Sequence, residues 1–140
     1  MFKQLADRCD AIEECYEFML AFAGQGLPGE PGTGKGALIR DFLGRAATAL
    51  TGLSEVCAET VKEQGLDQPE RYQAFLAVLA RDAQDSLAAI EIVLAQRTIS
   101  SQLIDNLNAS IHLRALLTDL FLIDEIVKVH QLSEQPASTA

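Results

Sequence analysis

Apolar residues recur at intervals of three and four positions along the first 23 residues, which is the spacing of one face of an α-helix. The row comprises Phe2, Leu5, Cys9, Ile12, Tyr16, Met19 and Ala23. Acidic residues occupy many of the intervening positions, so we expect the opposite face to be solvated. The pattern predicts a first helix over residues 2–24.

Two further segments, 37–64 and 68–97, have the same helical period and predict a second and a third helix. Gly65 is suited to the end of a helix, and Asp67 with Glu70 three residues later has the spacing of a capping box. These residues indicate a boundary between the two helices.

The predicted second helix contains Gly44 and Gly52 within a group of small residues. Glycine inside a helix costs about 1 kcal/mol relative to alanine, so its presence calls for a structural reason. We expect the close approach of a neighbouring helix at this patch, with a local bend as the alternative.

The most apolar segment is 101–130, which predicts a fourth helix after a turn at 98–101, where either serine can act as a cap. On a helical wheel, one stripe contains Leu107, Ile111, Ala115, Leu122, Ile126 and Val129. The opposite side contains Leu113, Leu116, Leu117, Leu120 and Val127. A helix that is apolar on both sides is either central in its domain or shared with a second molecule. We therefore assign the second set to an exposed interaction surface.

Four helices without a credible strand predict an all-α fold, an antiparallel up-down four-helix bundle that is dimeric through the fourth helix. Residues 1–132 would form a single domain, and the polar segment 133–140 a disordered tail.

The loop at 24–36 is rich in glycine and proline and is expected to be flexible. Its segment Gly29–Gly36 matches the first seven positions of a phosphate-binding loop, including Lys35, but Gly36 replaces the final Ser or Thr. A helix precedes the loop, whereas the phosphate-binding loop normally follows a strand. Nucleotide binding here is an alternative to a chance match.

His112 suggests a second alternative, signalling by phosphotransfer through a histidine on a helical bundle. Domains of that type place Lys three residues and Gly four residues after the histidine, whereas this chain has Ala115 and Leu116 there. The simpler interpretation is a histidine at the edge of an apolar face.

The charge and composition of the chain restrict the kinds of molecule that it is expected to bind. A net charge of −9 argues against binding to nucleic acid and to anionic membranes. The chain has three cysteines without a Cys-x-x-Cys pair, two histidines 18 residues apart and no Glu-x-x-His pair, so neither a metal nor a cofactor is expected. No apolar leader is apparent at the N-terminus, which favours a cytoplasmic location.

No grouping of nucleophile and base has local support in the sequence, so we do not expect an enzyme. The sequence favours a non-catalytic protein–protein interaction module of adaptor, regulator or assembly- and secretion-chaperone type. It would act as a homodimer and bind an unidentified protein partner.

Overall fold

The computed structural model describes residues 2–26, 35–66 and 69–134. Within these ranges the chain forms six α-helices and no strand, which confirms the all-α prediction. The helices are α1 (Phe2–Ala23), α2 (Lys35–Leu50), α3 (Leu53–Gln64), α4 (Pro69–Leu94), α5 (Ser101–Ala109) and α6 (His112–Glu134).

The predicted second helix is interrupted at Thr51 and Gly52, so the prediction of one continuous helix over 37–64 is wrong. Gly52 has φ 78°, a left-handed conformation that glycine adopts at little cost. The expected close approach of a neighbour is absent at Gly44, where an added Cβ would meet nothing within 4 Å. Gly52 therefore separates α2 from α3. The structure is closer to the predicted local bend than to the predicted close approach of a neighbouring helix.

The predicted fourth helix is also divided, at Ser110 and Ile111. Ile111 has φ 60°, the one positive value at a non-glycine position among the described residues. A β-branched residue is strained in this conformation, typically by 1–3 kcal/mol. This conformation separates α5 from α6, a break that the sequence pattern does not reveal.

Several predicted boundaries are present. Ser100 caps α5, since its hydroxyl accepts a hydrogen bond from the Leu103 N–H at 3.0 Å. Gly65 ends α3 with φ 64°. Helix α6 continues to Glu134, four residues beyond the predicted end at 130. Asp67, most of the loop at 24–36 and positions 135–140 of the predicted tail lie outside the described residues.

Helices α1 and α4 organise the core, because each packs against α2, α3, α5 and α6. Helices α1 and α2 run antiparallel, and so do α4 and α6. Phe18 near the end of α1 stacks on Phe42 in the first half of α2, with ring centroids 4.5 Å apart. The first residues of α4 likewise lie beside the last residues of α6. The fully buried large side chains include Ile12, Met19, Phe22, Leu43, Leu79 and Leu116.

Two arginines connect the C-terminal ends of helices to neighbouring helices. Arg8 on α1 donates hydrogen bonds to the carbonyls of Ala49, at 2.8 Å, and Thr51, at 2.6 Å. Arg40 on α2 donates to three carbonyls at the end of α4, those of residues 94, 96 and 97, at 3.0, 2.6 and 3.0 Å. The last carbonyls of a helix lack hydrogen-bond partners within the helix and carry partial negative charge. A guanidinium group donates hydrogen bonds to them and offsets that charge.

Replacing Arg40 with alanine is expected to lower the free energy of unfolding by about 2 kcal/mol, because hydrogen bonds to a charged donor are lost. Urea denaturation followed by circular dichroism measures the change. Arg81→Ala serves as the control, since Arg81 is an exposed arginine on α4. Equal stability of the two variants would contradict a structural role for Arg40.

Candidate functional site

Helix α6 presents two opposite apolar faces, and only one of them is buried. The buried face consists of Leu113, Leu116, Leu117, Leu120, Ile123 and Val127, none more than 8% exposed. The other face carries five exposed apolar side chains, which we name the outer row: Phe121, Leu122, Ile126, Val129 and Leu132. Their exposure ranges from 38% at Ile126 to 68% at Leu132. At 100° per residue the outer row spans about 140° of the helix circumference.

The structure reverses the sequence-based assignment of the two faces. Leu113, Leu116, Leu117, Leu120 and Val127, expected to be an exposed interaction surface, are packed in the core of the chain itself. Leu122, Ile126 and Val129, which belong to the other stripe, are exposed instead. The expectation of surplus apolar surface on this segment stands, but it lies on the opposite side of the helix.

Three polar residues could have distinguished the buried face of α6 from the exposed face on the basis of the sequence. Arg114, Thr118 and Glu125 are exposed and fall within the arc of the outer row when the helix is projected at 100° per residue. Charged side chains rarely lie in a core without a partner. Their positions therefore mark the side of α6 that faces solvent, whereas a count of apolar residues does not.

The assignment of faces is tested by matched leucine substitutions on α6. Leu116→Asp is expected to abolish cooperative folding, because an unpaired carboxylate in the core costs much of the 5–15 kcal/mol that stabilises a typical domain. Leu132→Asp should retain the native circular dichroism spectrum and a cooperative thermal transition, because Leu132 is 68% exposed. Loss of folding in Leu132→Asp with tolerance of Leu116→Asp would contradict the assignment.

A groove of about 580 Å³ lies between the start of α4 and the end of α6, and we name it the end groove. Its apolar walls include Leu66, Phe75, Leu122, Ile123, Ile126 and Val129. Arg71, Tyr72, His130 and Ser133 complete the lining. Leu122, Ile126 and Val129 belong to both the outer row and the end groove, so the two features form one continuous apolar surface.

The two alternative candidates from the sequence, His112 and Lys35, are each the first residue of a helix. His112 is exposed and is the first residue of α6, rather than a residue in the middle of a helix. Lys35 is the first residue of α2, and its side chain lies outside the described residues, as does most of Gly29–Gly36.

The three thiols lie in surroundings that disfavour the thiolate. Burial raises the pKa of Cys9 to about 12, with a further contribution from the charge of Asp124. Burial also raises the pKa values of Cys15 and Cys57 to about 12. Because the thiolate is the reactive form, none of these cysteines has the environment of a catalytic nucleophile.

Asp119 is a buried carboxyl group on α6 that faces Asp82 on α4. Its Oδ2 is buried and has no hydrogen-bond partner among the described residues. The pKa of Asp119 is raised from 3.8 to about 7, mainly by burial, and a hydrogen bond with Asp82 and the Asp82 charge contribute to the same rise. One proton shared between the two carboxyls relieves the repulsion across this helix interface.

The raised pKa of Asp119 predicts that stability falls as pH rises. Between the ordinary value of 3.8 and about 7, the folded chain binds this proton more tightly than the unfolded chain does. The stabilisation is therefore complete below pH 3.8 and is lost as the pH rises through about 7. Urea denaturation at pH 4 to 8 should show this decline, and Asp119→Asn should make it shallower. The exposed Asp105→Asn control should retain the wild-type slope; an unchanged slope in Asp119→Asn would contradict the prediction.

Among the described residues, no cluster of three or more His, Cys, Asp or Glu side chains has the arrangement of a metal site. No helix in the same ranges has the length and apolar character needed to cross a membrane. In comparisons with known proteins, no family model, curated protein or solved structure matches the chain. The exposed apolar surface of α6 is therefore the feature on which a functional hypothesis rests.

Proposed function

We propose that the protein is a non-catalytic protein–protein interaction module that functions as a homodimer through the outer row of α6. The observation that carries the proposal is the exposure of five neighbouring apolar side chains on one helix face. Contiguous apolar patches on the surface of a monomer are typical of binding sites. Phe121, the first residue of the row, is the kind of aromatic residue that contributes most to such interfaces.

The charges on this face favour a second copy as the partner. Arg114 and Glu125 are the charged residues within the arc of the outer row, and their charges cancel. The net charge of the whole chain is −9, so contact through most other surfaces would bring like charges together. A neutral apolar face allows two acidic chains to associate with less repulsion.

The order of residues along this face suits a two-fold axis. Three pairs of positions on it are symmetric about the point between residues 121 and 122, namely 121 with 122, 118 with 125 and 114 with 129, whereas Ile126 and Leu132 have no counterpart in the outer row. A two-fold axis at this point would align two α6 helices antiparallel. Arg114 would then lie about 6 Å along the helix axis from Glu125 of the second copy, at 1.5 Å per residue. Each dimer would contain this ion pair twice.

We interpret the architecture of each protomer as an up-down four-helix bundle with two interrupted members. In this interpretation α2 with α3 forms one member, α5 with α6 forms another, and α1 and α4 are the continuous ones. An acidic helical dimer of this type is suited to an adaptor, a regulator or an assembly or secretion chaperone. The proposed class rests on the surface of α6 and not on a catalytic arrangement.

Light scattering coupled to gel filtration is expected to give the mass of a dimer for the wild-type chain at tens of micromolar. Phe121→Asp should give a monomer with native circular dichroism, because two carboxylates would be buried at the centre of the interface. Ile92→Asp is the matched control: Ile92 is 62% exposed but lies on α4, so the dimer should persist.

Charge reversal tests the geometry of the interface separately. Arg114→Glu or Glu125→Arg alone should weaken dimerisation, because each replaces two attractive pairs by two repulsive ones. The double reversal should restore much of the affinity. A monomeric wild type, or a dimer that Phe121→Asp leaves intact, would contradict the proposal.

A further inference from the structure

The end groove has the dimensions and lining of a site for a small amphiphile. Its volume of about 580 Å³ lies within the range of roughly 300–1,000 Å³ that is usual for small-molecule sites. Such sites are mainly apolar, with a few polar groups that orient the ligand. The walls formed by Leu66, Phe75, Ile123 and Ile126 meet the first requirement.

The polar groups of the groove are concentrated at one end. Arg71 lies in the first turn of α4, and His130 and Ser133 lie in the last turns of the antiparallel α6. Phe75 and Ile123 lie farther from these helix ends, toward the middle of the molecule. A ligand with a polar head and an apolar tail would therefore have one preferred orientation, with its head beside Arg71.

The charge at the mouth of the groove indicates the sign of the head group. None of the described residues that line the groove is acidic, although the chain as a whole has a net charge of −9. Arg71 is exposed and makes no ion pair within the described residues. A guanidinium can bind a carboxylate through two parallel hydrogen bonds, and the His130 and Ser133 side chains provide further polar contacts.

We propose that the end groove binds a single-chain aliphatic carboxylate, with the carboxylate at Arg71 and the chain along Phe75, Ile123 and Ile126. The site does not depend on the proposed homodimer. Arg71 and Phe75 lie outside the outer row, whereas Phe121 and Leu132 lie outside the groove. Although Leu122, Ile126 and Val129 belong to both surfaces, substitutions at Arg71 and at Phe121 each alter one surface only.

Isothermal titration calorimetry of the full chain with sodium dodecanoate, below its micellar concentration, tests the site. Saturable binding of one dodecanoate per chain is expected. Dodecanol, which has the same chain without the charge, should bind about tenfold or more weakly, and dodecyltrimethylammonium should not bind saturably. Equal binding of the three amphiphiles would indicate a non-specific apolar surface and would overturn the proposal.

Variants on α4 locate the head group. Arg71→Gln should weaken dodecanoate binding about tenfold and leave dodecanol binding unchanged, since only the charged contact is lost. Arg81→Gln, an exposed arginine farther along the same helix, should bind as the wild type does. An equal effect of both substitutions would contradict a specific site at Arg71.

The dimer-disrupting variant Phe121→Asp separates the two proposals. Dodecanoate binding by both the wild type and Phe121→Asp would support the groove whatever the oligomeric state. Binding by Phe121→Asp alone would mean that a second copy covers the groove in the wild type, which would overturn the site as a ligand site. Absence of saturable binding in both would also overturn it, without affecting the dimer.

Discussion

Helix α6 has apolar side chains around most of its circumference, whereas the remaining helices of this 140-residue chain cover one side of it. The side that packs against α1 and α4 contains Leu116, Leu120 and Ile123, which are at most 2% exposed. Burial of these residues stabilises the fold, since each fully buried leucine or isoleucine contributes roughly 1.5–3 kcal/mol. The opposite side is only partly covered by the described residues of the chain. Its apolar surface is therefore available for a second molecule, and both proposals about function arise from this imbalance.

The orientation of α6 depends on features that interrupt the helices. Gly52 and Ile111 allow the chain to change direction within segments that have an uninterrupted helical period. Arg8 and Arg40 then secure the free carbonyls at the ends of α2 and α4. The interruptions divide two long helical segments, and the arginines bind the carbonyls at the C-terminal ends of α2 and α4.

The helical period was sufficient to predict an all-α chain, the extent of α1 and α4 and the turn before α5, because these depend on local spacing and caps, but it predicted four helices where the structure has six. The breaks between α2 and α3 and between α5 and α6 were harder to predict from the sequence. Gly52 lies among other small residues, and nothing in the residue type of Ile111 indicates a positive φ. The choice between the two faces of α6 depends on which neighbours cover it, and the polar residues Arg114, Thr118 and Glu125 were the local clue.

The end groove was not predictable from sequence spacing, because Arg71 and His130 are far apart in the chain and meet only when α4 and α6 pack antiparallel. The same holds for Asp82 and Asp119, whose interaction crosses this interface. Local patterns in the sequence identify helices, whereas these sites depend on how the helices are paired. Only the expectation that the last helical segment has surplus apolar surface linked the sequence to the candidate site.

Fluorine NMR of the protein labelled with fluorophenylalanine tests most directly whether the outer row of α6 is a self-association surface. The chain contains six phenylalanines, of which Phe121 lies in the row and Phe22 is 1% exposed in the core. Dilution from millimolar to low micromolar concentration should shift the Phe121 resonance, as it passes from the interface into water, and leave the Phe22 resonance unchanged. A Phe121 resonance that is constant over this range in a monomeric protein would contradict the account.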